Sequence, residues 1–179
     1  MGNGMITGDC LQTNKLIVLR GNSGSGKTTI AKELQQMFGN NTMLISQDAI
    51  RRDMLKVKDG ENTKALPLLE ELLRYGRKYS EIVILERILN AEWYCALFEL
   101  TVELYGENVY AYYFDIPFEE TVKRHKTKPN CKDFGEEDMR RWWNEKDYAS
   151  VLQETRITAD QDKESIVCEI YHTVVSNGK

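Results

Sequence analysis

The sequence has few cysteines, few histidines and no long apolar run. Its cysteines are widely spaced and form no C-x-x-C pair; they are Cys10, Cys95, Cys131 and Cys168. This spacing excludes a zinc-binding or disulfide framework and favours reduced thiols in a cytoplasmic protein. Every apolar run is far shorter than the ~20 residues that cross a membrane, so no membrane partner is expected.

Excess positive charge is also lacking. The 179 residues carry 24 Lys and Arg against 28 Asp and Glu, a formal net charge of −4. A protein that coats nucleic acid is normally basic, so this balance counts against a nucleic-acid partner. Residues 1–14 have no charged segment followed by an apolar core, so they do not match a signal peptide. They are interpreted as a loose leader. Residues 15–179 are interpreted as one domain.

Short apolar segments alternate with amphipathic ones along the chain. Strands are predicted at residues 15–20, 42–46, 81–85, 109–114 and 155–158. Helices are predicted at residues 28–38, 48–55, 66–79, 91–105, 117–126, 136–147 and 162–175. Strands that are apolar on both faces and alternate with helices predict an α/β fold, in which helices cover both faces of a parallel sheet.

A glycine-rich segment between the first strand and the next helix matches the phosphate-binding motif G-x-x-x-x-G-K-[ST]. Its residues are Gly21, Asn22, Ser23, Gly24, Ser25, Gly26, Lys27 and Thr28, followed by Thr29. The glycines let successive backbone N–H groups point into one concavity, and the helix N-terminus adds positive potential. The segment, here called the phosphate loop, is predicted to bind a nucleoside triphosphate. Lys27 is predicted to be catalytic and to bind the β- and γ-phosphates, whereas Thr28 is expected to bind Mg²⁺ and Thr29 the α-phosphate.

Other classes of protein with this loop fit the sequence less well. A GTPase carries N-K-x-D, whereas residues 144–147 read N-E-K-D and fall in a predicted polar helix. Residues 133–135 match the D-F-G of protein kinases without the rest of that signature. A motor or an AAA-type ATPase is expected to need a longer chain with a sensor region. A small kinase is the class that remains.

Asp48 follows the second strand and is the candidate group for activating an acceptor. One helical turn separates it from Arg51 and Arg52, so at least one arginine shares its face. A carboxylate that accepts a hydroxyl proton, beside an arginine that neutralises phosphate charge, is the chemistry of phosphoryl transfer. Asp48 and Arg51 are predicted to be catalytic, and all three residues to bind the acceptor. Asp48 also suits a helix N-cap, and both roles stay open.

Glu86 and Arg87 follow the apolar part of the third strand. Glu86 is predicted to order the Mg²⁺ shell through water; the alternative is a surface charge at the strand end. Arg87 is predicted to face the acceptor or the γ-phosphate.

A cationic segment over residues 121–141 is predicted to form a short mobile lid over ATP. Its basic residues are Lys123, Arg124, His125, Lys126, Lys128, Lys132, Arg140 and Arg141. Such a lid excludes water and offsets transition-state charge, although cationic clusters also occur as solvated surface. Arg124 and Arg140 are the predicted catalytic arginines, and Arg124 is also expected to bind ATP. Three other basic residues are expected at the surface: Lys123, His125 and Lys126.

Together these motifs resemble the adenylate-kinase-like branch of P-loop kinases over roughly residues 15–175. The Asp48-x-x-Arg51 element is similar to that of zeta toxins, chloramphenicol phosphotransferase and polynucleotide 5′-hydroxyl kinases. The resemblance implies a three-layer fold with a five-stranded sheet of order 2-3-1-4-5, ATP as donor, Mg²⁺ as cofactor and an acceptor hydroxyl activated at Asp48. Adenylate kinases have an aspartate and a glycine where this chain has Glu86 and Arg87. That departure argues against a nucleoside-monophosphate acceptor bound in the usual way. Glu86 and Arg87 are instead similar to the acidic residue and arginine found together in deoxynucleoside kinases.

The leading hypothesis is a cytoplasmic kinase that transfers the γ-phosphoryl group of ATP to a hydroxyl of a small molecule. Its acceptor pocket is expected between residues 62–79 and 86–105, with Trp93, Tyr94 and Phe98 either lining it or buried in the core. Two alternatives stay open. One is a kinase for a nucleic-acid 5′-hydroxyl or a sugar nucleotide, and the other is a regulatory ATP-binding protein without an acceptor. The sequence does not predict the oligomeric state.

Overall fold

A computed structural model describes residues 14–127 and 134–176. The predicted leader, apart from Asn14, lies outside these ranges, as do Lys128 and Lys132 of the predicted lid. The division of the chain into a leader and one domain therefore stays a prediction.

Within residues 14–127 and 134–176, five strands and seven helices follow one another in the predicted order. The strands are β1 (Lys15–Gly21), β2 (Thr42–Ser46), β3 (Ile82–Arg87), β4 (Val109–Phe114) and β5 (Glu154–Ile157). The helices are α1 (Lys27–Phe38), α2 (Gln47–Ala49), α3 (Ala65–Tyr79), α4 (Cys95–Tyr105), α5 (Phe118–Lys126), α6 (Glu136–Arg141) and α7 (Lys163–Ser176). Two short turns complete the set, a π-helical turn at Ile50–Met54 and a 3₁₀ turn at Gly106–Asn108.

The strands form one parallel sheet of order β2-β3-β1-β4-β5, which confirms the α/β fold and the order 2-3-1-4-5. Central β1 pairs with β3 and β4, so that Leu16 lies beside Val83 and Val109. The carboxyl ends of β1 and β3 therefore meet at one edge of the sheet. This edge carries the phosphate loop after β1 and places Glu86 and Arg87 next to it.

Successive residues of the central strand face opposite sides of the sheet, and each side has its own core. Leu16 and Val18 pack with α3 and α4, whereas Ile17 and Leu19 pack with α1 and α7. All four side chains are fully buried. Burial on both faces explains why the strands read as continuous apolar runs, and it confirms the predicted three layers.

Three predicted helices differ from the structure. The helix predicted at 48–55 is the short α2 followed by the π-helical turn, in which the Leu55 N–H donates to the Ile50 carbonyl. The helix predicted at 91–105 begins at Cys95, because the side chain of Asn90 accepts the backbone N–H groups of residues 92 and 93 and holds a turn there. The helix predicted at 136–147 ends at Arg141. No helix among the described residues has the length and apolar character needed to cross a bilayer.

Candidate active site

The phosphate loop joins β1 to α1 and depends on glycine for two reasons. Gly21, Gly24 and Gly26 have φ values of 135°, 83° and 106°, which L side chains rarely adopt. A Cβ atom at Gly21 would lie 2.7 Å from the Phe114 carbonyl oxygen, and one at Gly24 would lie 2.6 Å from that of Thr121. Space around Gly26 is open, so only its backbone angle requires glycine. The loop is therefore packed directly against β4 and α5.

Lys27 lies at the start of α1 and is buried within the loop. Its ammonium group donates to the Asn22 carbonyl at 2.8 Å and to the Ser25 hydroxyl at 3.0 Å. The Lys27 ammonium therefore lies within the concave phosphate loop, where its positive charge favours a bound phosphate.

Thr28 and Glu86 meet at the carboxyl end of β3. The Thr28 hydroxyl donates to Glu86 Oε2 at 2.9 Å, and the Ser46 hydroxyl donates to Glu86 Oε1 at 2.6 Å. Glu86 is fully buried, so it is not a surface charge at the strand end. Among the described residues, no group of three or more His, Cys, Asp or Glu side chains has a metal-binding arrangement. One hydroxyl and one carboxylate fit Mg²⁺, because this ion is commonly held by one or two protein ligands together with substrate phosphates and water.

Asp48 lies at the centre of an arginine cluster. Its Oδ1 accepts from Arg51 at 2.6 Å and from Arg52 at 2.8 Å, and its Oδ2 accepts from Arg87 at 3.0 Å. The alternative role of helix N-cap is not realised, since Ser46 occupies that position of α2. The π-helical turn that follows Asp48 carries Arg51 and Arg52, and such turns recur at functional sites.

Arg87 brings a partly buried cation to this cluster from the end of β3. Burial lowers the pKa of its guanidinium, while the carboxylates of Asp48 and Glu86 oppose that shift. Its backbone φ of 155° lies in a region that favours glycine. The surrounding contacts therefore hold Arg87 in a strained conformation.

Two cavities meet at the arginine cluster. The loop cavity, of about 320 Å³, contains the phosphate loop, with Lys27 and Thr28 in its wall. The arginine cavity, of about 560 Å³, extends beyond it towards Lys58, Trp93 and Arg141. The residues that line both are Ser23, Asp48, Arg52, Arg87 and Ile88. The structure thus brings Asp48, Arg51, Arg52 and Arg87 together beside the phosphate loop.

A third cavity lies on the other side of the phosphate loop. This β5 cavity, of about 480 Å³, is lined by Gly24–Gly26 of the loop, by Arg124, and by residues 159–163 after β5. Sequence reasoning did not identify residues 159–163. Their place after the carboxyl end of a parallel strand was the available signal.

The two predicted lid arginines have different surroundings. Arg124 donates to the Ser25 carbonyl at 3.3 Å and to Glu120 at 2.8 Å, so it contacts the phosphate loop. The Arg140 guanidinium carbon lies 4.1 Å from the centroid of the Phe118 ring, and its side chain is 65% exposed. Arg140 lines neither the loop cavity nor the arginine cavity. Its predicted catalytic role stays a prediction that this placement does not support.

His125 is not the surface residue that the sequence predicted. It is buried, its ring stacks on Phe134 at 4.3 Å, and its Nε2 lies 2.9 Å from the Phe134 carbonyl oxygen. The ring also forms part of the wall of the loop cavity. Lys123 and Lys126 are exposed, as predicted.

The predicted acceptor wall is only partly correct. Residues 62–79 do not line the arginine cavity, because α3 packs its apolar face on the core. Trp93 lines the cavity and is 41% exposed. Tyr94 and Phe98 are fully buried in the core.

Buried polar contacts that the sequence did not predict support the phosphate loop. Arg20 is fully buried at the end of β1 and donates to Glu154 at 2.7 Å, to Asp147 at 3.1 Å and to the Leu89 carbonyl. Burial raises the pKa of Asp147, and Arg20 opposes that shift. Two residues after Arg20, the side-chain amide of Asn22 exchanges two hydrogen bonds with the backbone of Asn144. The N-E-K-D segment therefore supports the loop from a non-helical stretch, which corrects its predicted helical placement.

The sequence model of a family described as an AAA domain matches residues 16–148. The match does not test the expectation that a motor or an AAA-type ATPase needs a longer chain with a sensor region. No curated protein sequence matches the chain.

Several solved kinases share the fold. The APS kinase CysC from Mycobacterium tuberculosis, in complex with AMPPNP and APS, superposes with a TM-score of 0.64 at 16% identity, over 91% of this chain and 98% of that one. A sugar kinase from Janibacter gives 0.61 at 16% identity, over 92% and 96%. The shikimate kinase from Acinetobacter baumannii, in complex with shikimate, gives 0.58 at 16% identity, over 94% and 97%. At these identities the likeness establishes the fold. The finer resemblance to zeta toxins, chloramphenicol phosphotransferase and polynucleotide kinases stays a prediction.

Proposed function

The chain belongs to the AAA domain family, and we propose that within it the protein is an ATP-dependent phosphotransferase that acts on a hydroxyl of a small molecule. One observation carries the proposal. Asp48, held by three arginines, lies where the loop cavity and the arginine cavity meet. A protein that only binds or hydrolyses a nucleotide needs the first of these cavities and has no use for the second.

The donor side uses the phosphate loop. Backbone N–H groups of residues 21–26, with Lys27, bind the β- and γ-phosphates, and Arg124 reaches the same loop from α5. Thr28 and Glu86 would hold Mg²⁺, which when bound neutralises charge on the transferred group. The β5 cavity offers space for the base of the nucleotide on the far side of the loop.

On the acceptor side, the Oδ2 atom of Asp48 can accept one more hydrogen bond. Two arginines donate to Asp48 Oδ1, whereas only Arg87 donates to Oδ2 among the described residues. A carboxylate oxygen accepts about two hydrogen bonds, so Oδ2 retains a position for the acceptor hydroxyl. The carboxylate orients the hydroxyl and accepts its proton, while Arg52 and Arg87 lie on the side of the γ-phosphate and stabilise the charge that develops there.

The names of the structural neighbours support a small acceptor. Shikimate kinase, a sugar kinase and APS kinase are described as acting on small molecules, and their fold extends over nearly the whole of this chain. An arginine cavity of about 560 Å³ has the size of an ordinary small-ligand site.

Transfer of the radiolabelled γ-phosphoryl group of ATP to a panel of sugars, nucleosides, hydroxy acids and oligonucleotides tests the proposal. We expect transfer to a small molecule, at least ~100-fold slower in Asp48→Asn, with ATP affinity unchanged. Lys27→Ala should weaken both ATP binding and transfer. Asp53→Asn is the matched control, because Asp53 is exposed in the same turn as the arginines. Slow ATP hydrolysis that is equal in the natural protein and in Asp48→Asn, without a phosphorylated product, would instead identify a regulatory ATP-binding protein.

A further inference from the structure

The outer part of the arginine cavity, away from the phosphate loop, combines positive charge with aromatic surface. Lys58 and Arg141 lie in its wall together with Trp93 and Trp142. None of these four residues lines the loop cavity. They therefore face whatever occupies the acceptor side.

Positive charge predominates in the lining of this cavity. Its cationic residues are Arg51, Arg52, Arg87, Arg141 and Lys58, and its acidic residues are Asp48 and Asp59. The whole chain, in contrast, has a formal net charge of −4. A local reversal of sign inside a concave site raises the concentration of anions there and selects for them.

Asp48 and Asp59 are both engaged with the protein. Asp48 lies within its three arginines, so that this group alone has a surplus of positive charge. Asp59 accepts a hydrogen bond of 2.6 Å from the Tyr94 hydroxyl, which points to it from the core. Burial raises the pKa of that hydroxyl, so it remains a donor. Among the described residues, neither carboxylate forms an ion pair with Lys58.

The two outer cations are available to a ligand. No carboxylate of the described residues lies within ion-pair distance of the Lys58 ammonium. Arg141 forms an ion pair with Asp138 of its own helix, and the Arg141 side chain is 69% exposed. A surface pair of this kind contributes little, so the guanidinium can turn to a ligand at small cost.

We propose that the acceptor is an anionic ring compound: its hydroxyl lies at Asp48, its ring contacts Trp93 and Trp142, and its phosphate or carboxylate group lies at Lys58 and Arg141. The identification as an acceptor rests on the proposed phosphotransferase function. Both tryptophans are about two-fifths exposed, at 41% and 39%, and offer ring surface to the cavity. Ring stacking and charge-assisted hydrogen bonds then act at separate ends of one molecule.

Binding, measured by titration calorimetry in the presence of Mg²⁺ and AMPPNP, tests this inference without turnover. The probes are matched pairs that differ only in the anionic group: shikimate with methyl shikimate, and uridine 5′-monophosphate with uridine. The anionic member of at least one pair should bind about tenfold or more tightly than the neutral one. If only shikimate binds more tightly than its neutral partner, the site binds a carboxylate. If only uridine 5′-monophosphate does so, the site binds a phosphate. A neutral member that binds as tightly in both pairs, or no binding by any probe, would overturn the proposal.

Variants connect the preference to the named residues. Lys58→Met and Arg141→Met should each weaken binding of the anionic member about tenfold and leave the neutral member unchanged. Trp93→Leu and Trp142→Leu should weaken both members. Lys64→Met and Arg74→Met are controls, since both residues are exposed and line neither the loop cavity nor the arginine cavity. Equal affinities in Lys58→Met, Arg141→Met and the controls would also overturn the proposal.

Failure of this inference and failure of the proposed function have different signatures. If phosphoryl transfer occurs to a neutral acceptor and Lys58→Met has no effect, the kinase remains and the anionic acceptor is wrong. If the anionic probes bind as expected while no compound is ever phosphorylated, the anion site remains and the kinase is wrong.

Discussion

The Arg87 guanidinium donates to Asp48 Oδ2 at 3.0 Å from a backbone whose φ of 155° favours glycine. An ion pair at the meeting point of the two cavities is thus maintained against local strain. Strain of this kind costs about 1–3 kcal/mol and is found where a side chain is needed for function.

Replacing Arg87 separates strain from charge. Arg87→Gly and Arg87→Ala both remove the guanidinium, and we expect both to slow phosphoryl transfer more than tenfold. Only glycine relieves the backbone, so Arg87→Gly should be more stable than Arg87→Ala by about 1 kcal/mol. Urea unfolding measures the difference, and an alanine variant that equals or exceeds the glycine variant in stability would show that no strain is stored there.

Glu86 should set the requirement for Mg²⁺. Its buried carboxylate lies 2.9 Å from the Thr28 hydroxyl, and the neutral amide of Glu86→Gln keeps the shape while losing the charge. We expect the Mg²⁺ concentration for half-maximal activity to rise about 10–100-fold. Glu81→Gln is the control, because Glu81 is exposed just before the same strand. An unchanged Mg²⁺ titration would remove Glu86 from the metal site.

The glycines of the chain allow a graded test of the phosphate loop. In Gly24→Ala the new Cβ would lie 2.6 Å from the Thr121 carbonyl oxygen, and the backbone φ is 83°. We therefore expect this variant to lose more than about 2 kcal/mol of stability and to lose ATP binding as well. Gly26→Ala meets open space and carries only the penalty of its φ of 106°, about 1–2 kcal/mol. Gly135→Ala, at a φ of −106° with open space, should be neutral. Equal stabilities of the three variants would contradict the packing described for the loop.

Arg124 and Arg140 should differ in their effect on ATP. Arg124→Met removes a contact to the Ser25 carbonyl, and we expect the KM for ATP to rise about tenfold. Arg140→Met removes an exposed cation that lies over Phe118, and the KM should stay within about twofold. A larger effect of Arg140→Met would support the lid arrangement that the sequence predicted and would require the segment around α6 to move towards the nucleotide.

The parts of the site that could be predicted from the sequence are those encoded by neighbouring residues. The phosphate loop is one continuous motif, and Asp48 with its two following arginines lies within a single turn. The parallel sheet was predictable because burial on both faces leaves uninterrupted apolar runs. Glu86 could be predicted as a candidate Mg²⁺ residue because it directly follows such an apolar run.

Contacts between distant parts of the chain could not be predicted in this way. Arg20 looks like an ordinary strand-end charge, and nothing near it in the sequence indicates that Asp147 and Glu154 neutralise it. His125 lies among basic residues and reads as surface, but the ring of Phe134 covers it. Helix α6 ends at Arg141, and three residues later the backbone of Asn144 is hydrogen-bonded to the distant Asn22.

The hydrogen bonds of Arg20 and Asn22 also determine when the phosphate loop is completed during synthesis. Their partners Asn144, Asp147 and Glu154 follow 122, 127 and 134 residues later in the chain. A ribosome has therefore made most of the protein before these partners emerge, and contacts over such separations form slowly. A nascent chain that stops short of residue 144 carries the entire phosphate-binding motif without the contacts that hold it, so the first recognisable part of the site to be synthesised is among the last to be finished.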